Sequence, residues 1–349
     1  MTTGLAYSEA FLRHDSGSRH PERAERVLAI VQRLREVGLW ERLSVWEPAP
    51  CDAATLELVH TPGHVAAMRE FIGRGGGHID ADTVVSTGSW EAALRAAGAV
   101  VEAVQRVADG ELGNAFCLAR PPGHHATPDQ SMGFCVFNNV AIAAAWLVAN
   151  QRAGRIAILD YDVHHGNGTQ DAFYERPEVL YVSTHQYPLY PGTGHWRESG
   201  SGAGDGYTLN LSLPPGSGDL VYAGALRDII EPAVRRYAPD FVLVSLGFDA
   251  FWDDPLASLR LSIGGAYTPL LRSALSLARE LCGGRLVVAL EGGYNLDALA
   301  HGGEAVCHVL LGDEPPADAL GPPPEQLSPG DVAPLLDQIR TLHHLGCAD

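Results

Sequence analysis

The sequence predicts an α/β fold, a single domain in which a mostly parallel central sheet carries helices on both faces. Three observations predict it. Apolar runs rich in β-branched residues alternate with amphipathic stretches of helical length. The 349 residues are 46% hydrophobic and 19% charged, which allows a large buried core and excludes disordered and fibrous classes. Polar side chains follow directly after the apolar runs, where an open parallel sheet binds its ligands.

Six apolar runs, each bounded by Gly, Pro or Asp, have the length of a buried strand. They span residues 115–119, 155–159, 179–184, 207–213, 241–246 and 285–290. Amphipathic stretches around them predict helices over residues 22–37, 89–108, 136–150, 220–237, 267–282 and 296–311. This alternation of strand and helix favours a doubly wound sheet.

No repeat, long low-complexity segment or charge run interrupts this pattern before about residue 313, so residues 1–312 are predicted to form one domain. Residues 313–349 begin with a Pro-rich, acidic stretch that predicts an extended strap, followed by a short helix over 332–345. We expect this extension to pack on the surface of the same domain, with His343 and His344 exposed.

The chain carries 24 Lys and Arg against 42 Asp and Glu, a net charge of −18. This balance disfavours direct binding of nucleic acid and favours cationic partners. No apolar run approaches the roughly 18 residues of a membrane span, and the start lacks a basic stretch followed by an apolar core. We therefore expect a soluble, cytoplasmic protein without a membrane partner. The 6 scattered cysteines form no CxxC pair and predict reduced, buried thiols.

Chemistry-bearing side chains follow five of the predicted strands. In chain order the segments are RPPGHHA, DYDVHHGNG, His185, GFDA and EGGYN. Any one of them alone also fits a hydrogen-bonded loop or a helix cap, but all five are predicted to meet at one edge of the sheet. Buried neighbouring carboxylates are costly unless a cation compensates their charge, and a bound divalent metal is the simplest compensation.

Three side chains are the candidate metal ligands. Asp162 and His164 are two residues apart on extended chain leaving a strand, so both point to the same side, and Asp249 follows another predicted strand. One imidazole and two carboxylates leave an open coordination position for water, as catalytic zinc requires. The donor set is harder than that of most zinc sites, so Fe²⁺ or another first-row divalent metal is an alternative to Zn²⁺.

Six blocks of this sequence resemble the signature motifs of the histone deacetylase family of zinc amidohydrolases. They are HPERAERV (20–27), RPPGHHA (120–126), GFCVFNN (133–139), DYDVHHGNGTQDAFY (160–174), GFDAFWDDPL (247–256) and LEGGYNL (290–296). The blocks stand in the family's order across roughly residues 1–312, and the HPERAER, HGNG and LEGGY forms are similar to the class II branch and its bacterial relatives. The resemblance implies an arginase/deacetylase-like three-layer fold and a metal-dependent hydrolase of N-acetyl or other N-acyl amines.

Carried over residue by residue, the resemblance implies that Asp162, His164 and Asp249 bind Zn²⁺. A metal-bound water would attack the acetyl carbonyl while a histidine pair moves protons and a phenol stabilises the oxyanion. The residues at those positions are His124 with Asp160 behind it, His125 with Asn167 behind it, and Tyr294. Class I enzymes have an aspartate in place of Asn167, so we expect His125, held by a neutral amide, to pass the proton to the leaving amine. Which histidine is the general base stays open, because neighbouring rings can titrate as a coupled pair.

The family's substrate channel is a narrow tube with aromatic walls, and the matching residues are Gly133, Phe134, Tyr190 and Leu256. Tyr190 replaces the more usual Phe, which leaves the acyl-chain preference open. The resemblance also implies two structural K⁺ or Na⁺ sites. One would be held by carbonyls of Asp160, Asp162, His164 and Thr184 with the Ser183 hydroxyl, and the other by the surroundings of Phe173, Arg176, Val179 and Tyr207.

Several alternatives stay open. Acetyl-lysine is the favoured substrate over an acetylated polyamine, since Leu256 stands where some polyamine-selective relatives carry a glutamate. A two-metal ureohydrolase of the arginase type would need carboxylates where Gly166, Gly247 and Phe251 stand. A catalytically inactive module that binds acetylated ligands is the alternative of another class. We expect a small-molecule or peptide substrate and a bacterial source, while a homo-oligomer stays open.

Overall fold

The computed structural model describes residues 2–346, and ten β-strands lie in that part of the chain. They are β1 (Thr3–Ala6), β2 (Ser44–Trp46), β3 (Gly77–His78), β4 (Val84–Val85), β5 (Asn114–Cys117), β6 (Ile156–Asp160), β7 (Val179–Gln186), β8 (Thr208–Leu213), β9 (Phe241–Leu246) and β10 (Leu286–Leu290). β3 and β4 form a small antiparallel ribbon. The other eight form one sheet in the order β2-β1-β5-β10-β9-β6-β7-β8, with parallel pairing throughout. The predicted α/β fold with a mostly parallel sheet is confirmed.

Helices cover both faces of this sheet. They are α1 (Glu25–Glu36), α2 (Ala53–Leu56), α3 (Pro62–Gly73), α4 (Ser89–Ala108), α5 (Asn139–Ala149), α6 (Asn167–Phe173), α7 (Asp219–Ala225), α8 (Glu231–Tyr237), α9 (Thr268–Cys282), α10 (Leu296–Leu311) and α11 (Pro329–Leu342). A π-helical turn over Leu226–Ile230 joins α7 to α8, so the predicted helix over 220–237 is continuous in space but locally wider. A second π-turn, Ile263–Tyr267, leads into α9.

The strands bury side chains on both faces, because successive residues of a strand point to opposite sides of the sheet. Along β6, Ala157 and Leu159 pack in a core with α1 and α7 to α10. Ile156 and Ile158 pack in the opposite core with α4 and α5. This two-sided burial explains why the sequences of the strands are continuous apolar runs. Each of the six predicted runs overlaps an observed strand.

Several short elements in the first 90 residues are not among the predicted ones: the strands β1 to β4 and the helices α2 and α3. β1 and β2 have four and three residues, too few to form a periodic pattern. Helix α3 begins with Pro62-Gly63, residues typical of turns, but Thr61 caps it by accepting a hydrogen bond from the backbone N–H of His64. A proline in the first turn fits a helix because its missing N–H would have no partner there.

The acidic, Pro-rich segment lies against the body of the protein. The indole of Trp252 donates to the Gly321 carbonyl at 3.2 Å, and the Leu327 N–H donates to the Gly216 carbonyl at 2.8 Å. His344 is exposed as expected, but the expectation for His343 is wrong, since the end of α11 packs onto the body and leaves its side chain 3% exposed. The domain boundary near residue 313 stays a prediction.

The five cysteines between residues 2 and 346 are buried free thiols, whereas Cys347 lies outside the described residues. None of the helices in that same range combines the length and the apolar composition that crossing a bilayer requires.

Candidate metal centre and active site

The loops that carry the candidate site leave neighbouring strands at the carboxyl edge of the sheet. β5 leads into the paired histidines, β6 into Asp160 and Asp162, β9 into Asp249, and β10 into Tyr294. These four strands are adjacent in the sheet order β5-β10-β9-β6. The topology therefore gathers segments that are far apart in the chain, as expected for the ligand-binding edge of a parallel sheet.

Asp162, His164 and Asp249 form a compact donor cluster, with one donor atom from each side chain within 4.8 Å of the others. Nδ1 of His164 lies 3.1 Å from Oδ1 of Asp162 and 3.2 Å from Oδ2 of Asp249. Both carboxylates are fully buried. Within residues 2–346 this is the only group of three His, Cys, Asp or Glu side chains that meets so closely.

The donor cluster fits a divalent cation. Although Oδ2 of Asp249 is buried near His164, it receives no hydrogen bond from any residue between 2 and 346. Burial and the neighbouring charge of Asp162 raise the pKa of Asp249. A cation would offset the free-energy cost of burying these two neighbouring carboxylates. Two carboxylate oxygens with one imidazole nitrogen are suitable ligands for a first-row divalent metal. A β-carbon at Gly292 would collide with both carboxylates, so glycine is needed for this close approach.

The paired histidines stand beside this cluster. The ring centroids of His124 and His125 are 4.0 Å apart, and both side chains are nearly fully buried. Nδ1 of His124 donates to Oδ2 of Asp160 at 3.1 Å, and Nδ1 of His125 donates to Oδ1 of Asn167 at 2.8 Å. Because each Nδ1 carries the hydrogen, each Nε2 is left to act on a substrate or a water molecule.

The two rings differ in their electrostatic surroundings. Burial opposes the charged form of His124, but the carboxylates of Asp162 and Asp160 outweigh it and raise its pKa to about 10. Burial, together with His124 and His164, holds the pKa of His125 well below its usual value. A cation bound at Asp162 would counteract the rise in the pKa of His124, because it would neutralise the carboxylate that stabilises the charged ring.

Tyr294 lies in the glycine-rich loop after β10. Arg26 donates to the carbonyls of Gly293 and Glu291, and its guanidinium lies 5.1 Å from the centroid of the Tyr294 ring. Burial raises the pKa of the Tyr294 phenol well above its usual value. The phenol therefore keeps its proton near neutral pH and can donate a hydrogen bond to a developing negative charge.

A cavity of about 230 Å³ opens above the donor cluster. Its lining includes all four predicted channel residues together with both paired histidines, His164 and Tyr294; further lining residues are Asp82, Pro122, Leu189 and Gly292. A larger cleft of about 730 Å³ beside α2 and α3 contains none of the predicted site residues.

Two aromatic rings narrow this cavity. Phe134 has a positive φ of 68°, which is uncommon for a side chain of its size, and its N–H donates to Oγ1 of Thr83. The ring of His20 packs edge-on against it at 4.7 Å. On the other side, the Tyr190 ring lies 5.2 Å from His125. Both rings belong to the cavity lining.

A buried ion-pair network supports the site, and the sequence motifs did not predict a role for its members. Glu22 accepts two hydrogen bonds from Arg120 and one from Arg26, and lies 3.3 Å from His14. Although burial opposes its charge, Arg120, His14 and Arg26 hold the pKa of Glu22 well below its usual value. The network joins the amino-terminal segment to the histidine and tyrosine loops. Glu22 and Arg26 lie in the motif HPERAERV, and Arg120 lies in RPPGHHA. The sequence alone does not predict that these two motifs contact each other.

The residues of the first predicted monovalent site come together at the ends of β6 and β7, where Asp160 pairs with Ser183 and the Thr184 hydroxyl donates to the Asp160 carbonyl at 3.4 Å. The second group is also assembled. Arg176 donates its N–H to the Phe173 carbonyl at the end of α6, and Tyr207 accepts from the N–H of Tyr181, two residues beyond Val179. Ion binding at both places stays a prediction.

Comparisons with known proteins place this chain among deacetylases. A family model described as the histone deacetylase domain matches residues 20–310. A probable deacetylase of Archaeoglobus fulgidus is 45% identical, with 85% of this chain and 82% of that protein covered. Histone deacetylase 10, chloroplastic, of Oryza sativa subsp. japonica is 39% identical over 93% of this chain and 77% of that protein. The crystal structure of the HDA15 HD domain superposes with a TM-score of 0.89 at 34% identity, covering 98% of this chain and 94% of that one.

Proposed function

This chain belongs to the histone deacetylase family and is a hydrolase of the deacetylase type, and we propose that it removes acetyl groups from lysine-type amines with a bound divalent metal. The single observation that carries the proposal is the position of the donor cluster. His164 lines a narrow cavity whose walls also hold the histidine pair and Tyr294, and the buried carboxylates of Asp162 and Asp249 lie directly behind it, 3.1 and 3.2 Å from its Nδ1.

A divalent metal held by Asp162, His164 and Asp249 supplies a Lewis acid that polarises the acyl carbonyl and acidifies water. We propose Zn²⁺ as that metal. Fe²⁺ is the alternative, because the donor set is rich in oxygen. The cluster holds one metal rather than two, since Gly166 stands two residues after His164, where a bridging carboxylate would be needed.

The histidine pair handles the protons. The hydrogen bond from Nδ1 of His124 to Asp160 leaves its Nε2 on the cavity side, and once a cation offsets the charge of Asp162 the neutral ring can accept a proton from water there. His125 is held by the neutral amide oxygen of Asn167 and delivers a proton to the leaving amine. Because burial holds the pKa of His125 well below its usual value, the ring is neutral before the reaction, and the proton that it delivers is one that it first accepts at Nε2.

Tyr294 stabilises the negative charge on the acyl oxygen. Its phenol is protonated, lines the cavity and is braced by Arg26 on one side and by the edge of the Phe134 ring at 5.9 Å on the other. A donor fixed in advance at the developing oxyanion typically contributes about 3 to 4 kcal/mol to lowering the barrier.

The cavity favours a linear acyl-amine stem. Phe134 and Tyr190 wall it, and Leu256 at its mouth is apolar and 37% exposed. An acetylated polyamine is the second candidate, because the carboxylate of Asp82 also lines the cavity and could attract an additional ammonium group. The K⁺ or Na⁺ sites near Ser183 and near Phe173, and a cytoplasmic location, are further parts of the proposal.

The proposal is tested by the activity of the purified full-length chain. Chelator-treated protein is reloaded with Zn²⁺ or Fe²⁺, and kcat/KM is measured on an acetyl-lysine peptide and on N-acetylspermidine. We expect one metal per chain, hydrolysis only in loaded protein and a preference for the peptide. A preference for N-acetylspermidine selects the second candidate. Ligand binding without hydrolysis in loaded protein would instead identify an inactive binding module.

A further inference from the structure

We propose that the buried hydroxyl of Tyr181 is a positioning group that holds the Asp160 carboxylate against His124 and ties it to the turn that supports His125. The inference rests on the proposed function, because it concerns the histidine pair of the deacetylase reaction. Tyr181 touches neither the cavity nor the donor cluster, so its role is exerted through the residues that it contacts.

The position of Tyr181 is fixed by the sheet. It lies on β7, directly beside Ile158 of β6, and its side chain is 1% exposed. Its hydroxyl lies 2.8 Å from Oδ2 of Asp160 and 3.1 Å from the carbonyl of Gly166. A hydroxyl has one proton to donate, and the nearer, charged acceptor forms the stronger hydrogen bond.

The Asp160 carboxylate is held from three directions. Oδ2 accepts from Nδ1 of His124 and from the hydroxyl of Tyr181, while Oδ1 accepts from the N–H of Asp162 at 3.2 Å. Rotation of the carboxylate would break these bonds together. Without the phenol hydroxyl, the oxygen that orients His124 would lose its second partner, and the carboxylate could turn away from the imidazole.

The same hydroxyl touches the support of the second histidine. Gly166, whose carbonyl faces Tyr181, directly precedes Asn167, and Asn167 accepts from Nδ1 of His125. A β-carbon at Gly166 would collide with the Asp160 carboxylate and the Tyr181 hydroxyl, so the turn is pressed against both groups. One phenol therefore joins the supports of both histidines.

Another buried tyrosine provides a matched control. The ring of Tyr267 is fully buried, but its hydroxyl finds no hydrogen-bond partner in the described part of the chain. Replacement of either tyrosine by phenylalanine removes one buried oxygen and preserves the ring. A difference between the two variants therefore reports the contacts of the Tyr181 hydroxyl rather than the loss of a buried phenol.

The experiment compares metal-loaded wild-type protein with Tyr181→Phe and Tyr267→Phe on an acetyl-lysine peptide. We expect Tyr181→Phe to lower kcat about tenfold while KM, metal content and the unfolding midpoint stay close to wild type. Tyr267→Phe should leave kcat nearly unchanged. Equal kcat values for Tyr181→Phe and wild type would overturn the inference, whereas an inactive wild-type chain would overturn the proposed function.

A double-mutant cycle separates positioning from a general structural role. In an Asp160→Asn background the charge that Tyr181 orients is absent. Adding Tyr181→Phe to that background should therefore lower kcat by less than about twofold. A loss in that background as large as the loss in wild type would mean that Tyr181 acts independently of Asp160, and would overturn the inference.

Discussion

The buried carboxylate of Asp254 accepts a hydrogen bond from the backbone N–H of Tyr294 at 2.8 Å, and its other oxygen accepts from the N–H of Leu256 at 2.9 Å. One side chain thus anchors both the phenol loop and the channel mouth. Asp254→Asn preserves the size but replaces an accepting oxygen with an NH₂ group. We expect kcat on an acetyl-lysine peptide to fall at least about tenfold, because small displacements of a catalytic donor are costly.

The adjacent Asp253 is exposed and offers a control of the same charge and size. Asp253→Asn should retain nearly full kcat, although it makes the same chemical replacement at the neighbouring position. Equal losses of kcat in the two variants would contradict an anchoring role for Asp254. They would indicate that kcat depends on the electrostatic field at the channel mouth.

Tyr294→Phe tests the oxyanion donor. Removing only the hydroxyl should lower kcat at least about 100-fold, because one preorganised donor is lost where charge develops. The fold should be intact, as measured by an unchanged unfolding midpoint and unchanged metal content. Tyr190→Phe, which removes a hydroxyl from the opposite wall of the same cavity, should leave kcat close to wild type. Near-wild-type activity of Tyr294→Phe would refute the role assigned to the phenol.

The donor cluster and the histidine pair could be predicted from sequence because each lies on a short motif directly after a strand. The alternation of apolar runs and helices predicted a parallel sheet, and a parallel sheet brings such motifs to one edge. Asp162 and His164 could be placed on the same side because side chains two residues apart in extended chain point in the same direction. Local pattern and sheet topology were sufficient to bring these side chains to one edge, whereas the roles of the histidine pair were implied by the resemblance to the family.

The supporting contacts could not be predicted in the same way. Tyr181 lies within a continuous apolar strand and is indistinguishable by pattern from a core aromatic, because only the pairing of β7 with β6 brings it to Asp160. Glu22 and Arg120 are likewise joined by packing between distant segments. The partner of a buried polar group depends on tertiary register, which local periodicity does not encode.

Metal removal should destabilise the protein as well as inactivate it. Without a cation, the buried carboxylates of Asp162 and Asp249 repel each other, so chelation should lower the unfolding midpoint by several degrees. Asp249→Asn should lose both the activity and the response of the midpoint to added Zn²⁺. Asp82→Asn, which alters the cavity but not the cluster, should retain that response. An unfolding midpoint indifferent to chelator would argue against a metal at this cluster.

His60 supports the loop that carries the Phe134 wall, and this support should depend on pH. Nδ1 of His60 donates to the Thr127 carbonyl, and Nε2 accepts from the N–H of Asn138, both at 2.9 Å. A charged ring could not accept the second bond, because both of its nitrogens carry hydrogen. Burial, followed by the charge of His64, lowers the pKa of His60 from 6.5 to about 4.

Because the folded-state pKa of His60 lies below that of the unfolded chain, the unfolded chain gains the proton first as pH falls. The stability contributed by the neutral ring is fully present above about pH 6.5 and is lost as the pH approaches 4. Urea unfolding at pH 7 and pH 5 should show a loss of stability in wild type to which His60 contributes on the order of 2 kcal/mol, beside other buried histidines such as His343, whose pKa burial also lowers. His60→Ala should be less stable at pH 7 but show a smaller loss between the two pH values. His78→Ala, at an exposed position, should behave like wild type. An equal pH dependence in wild type and His60→Ala would contradict the assignment.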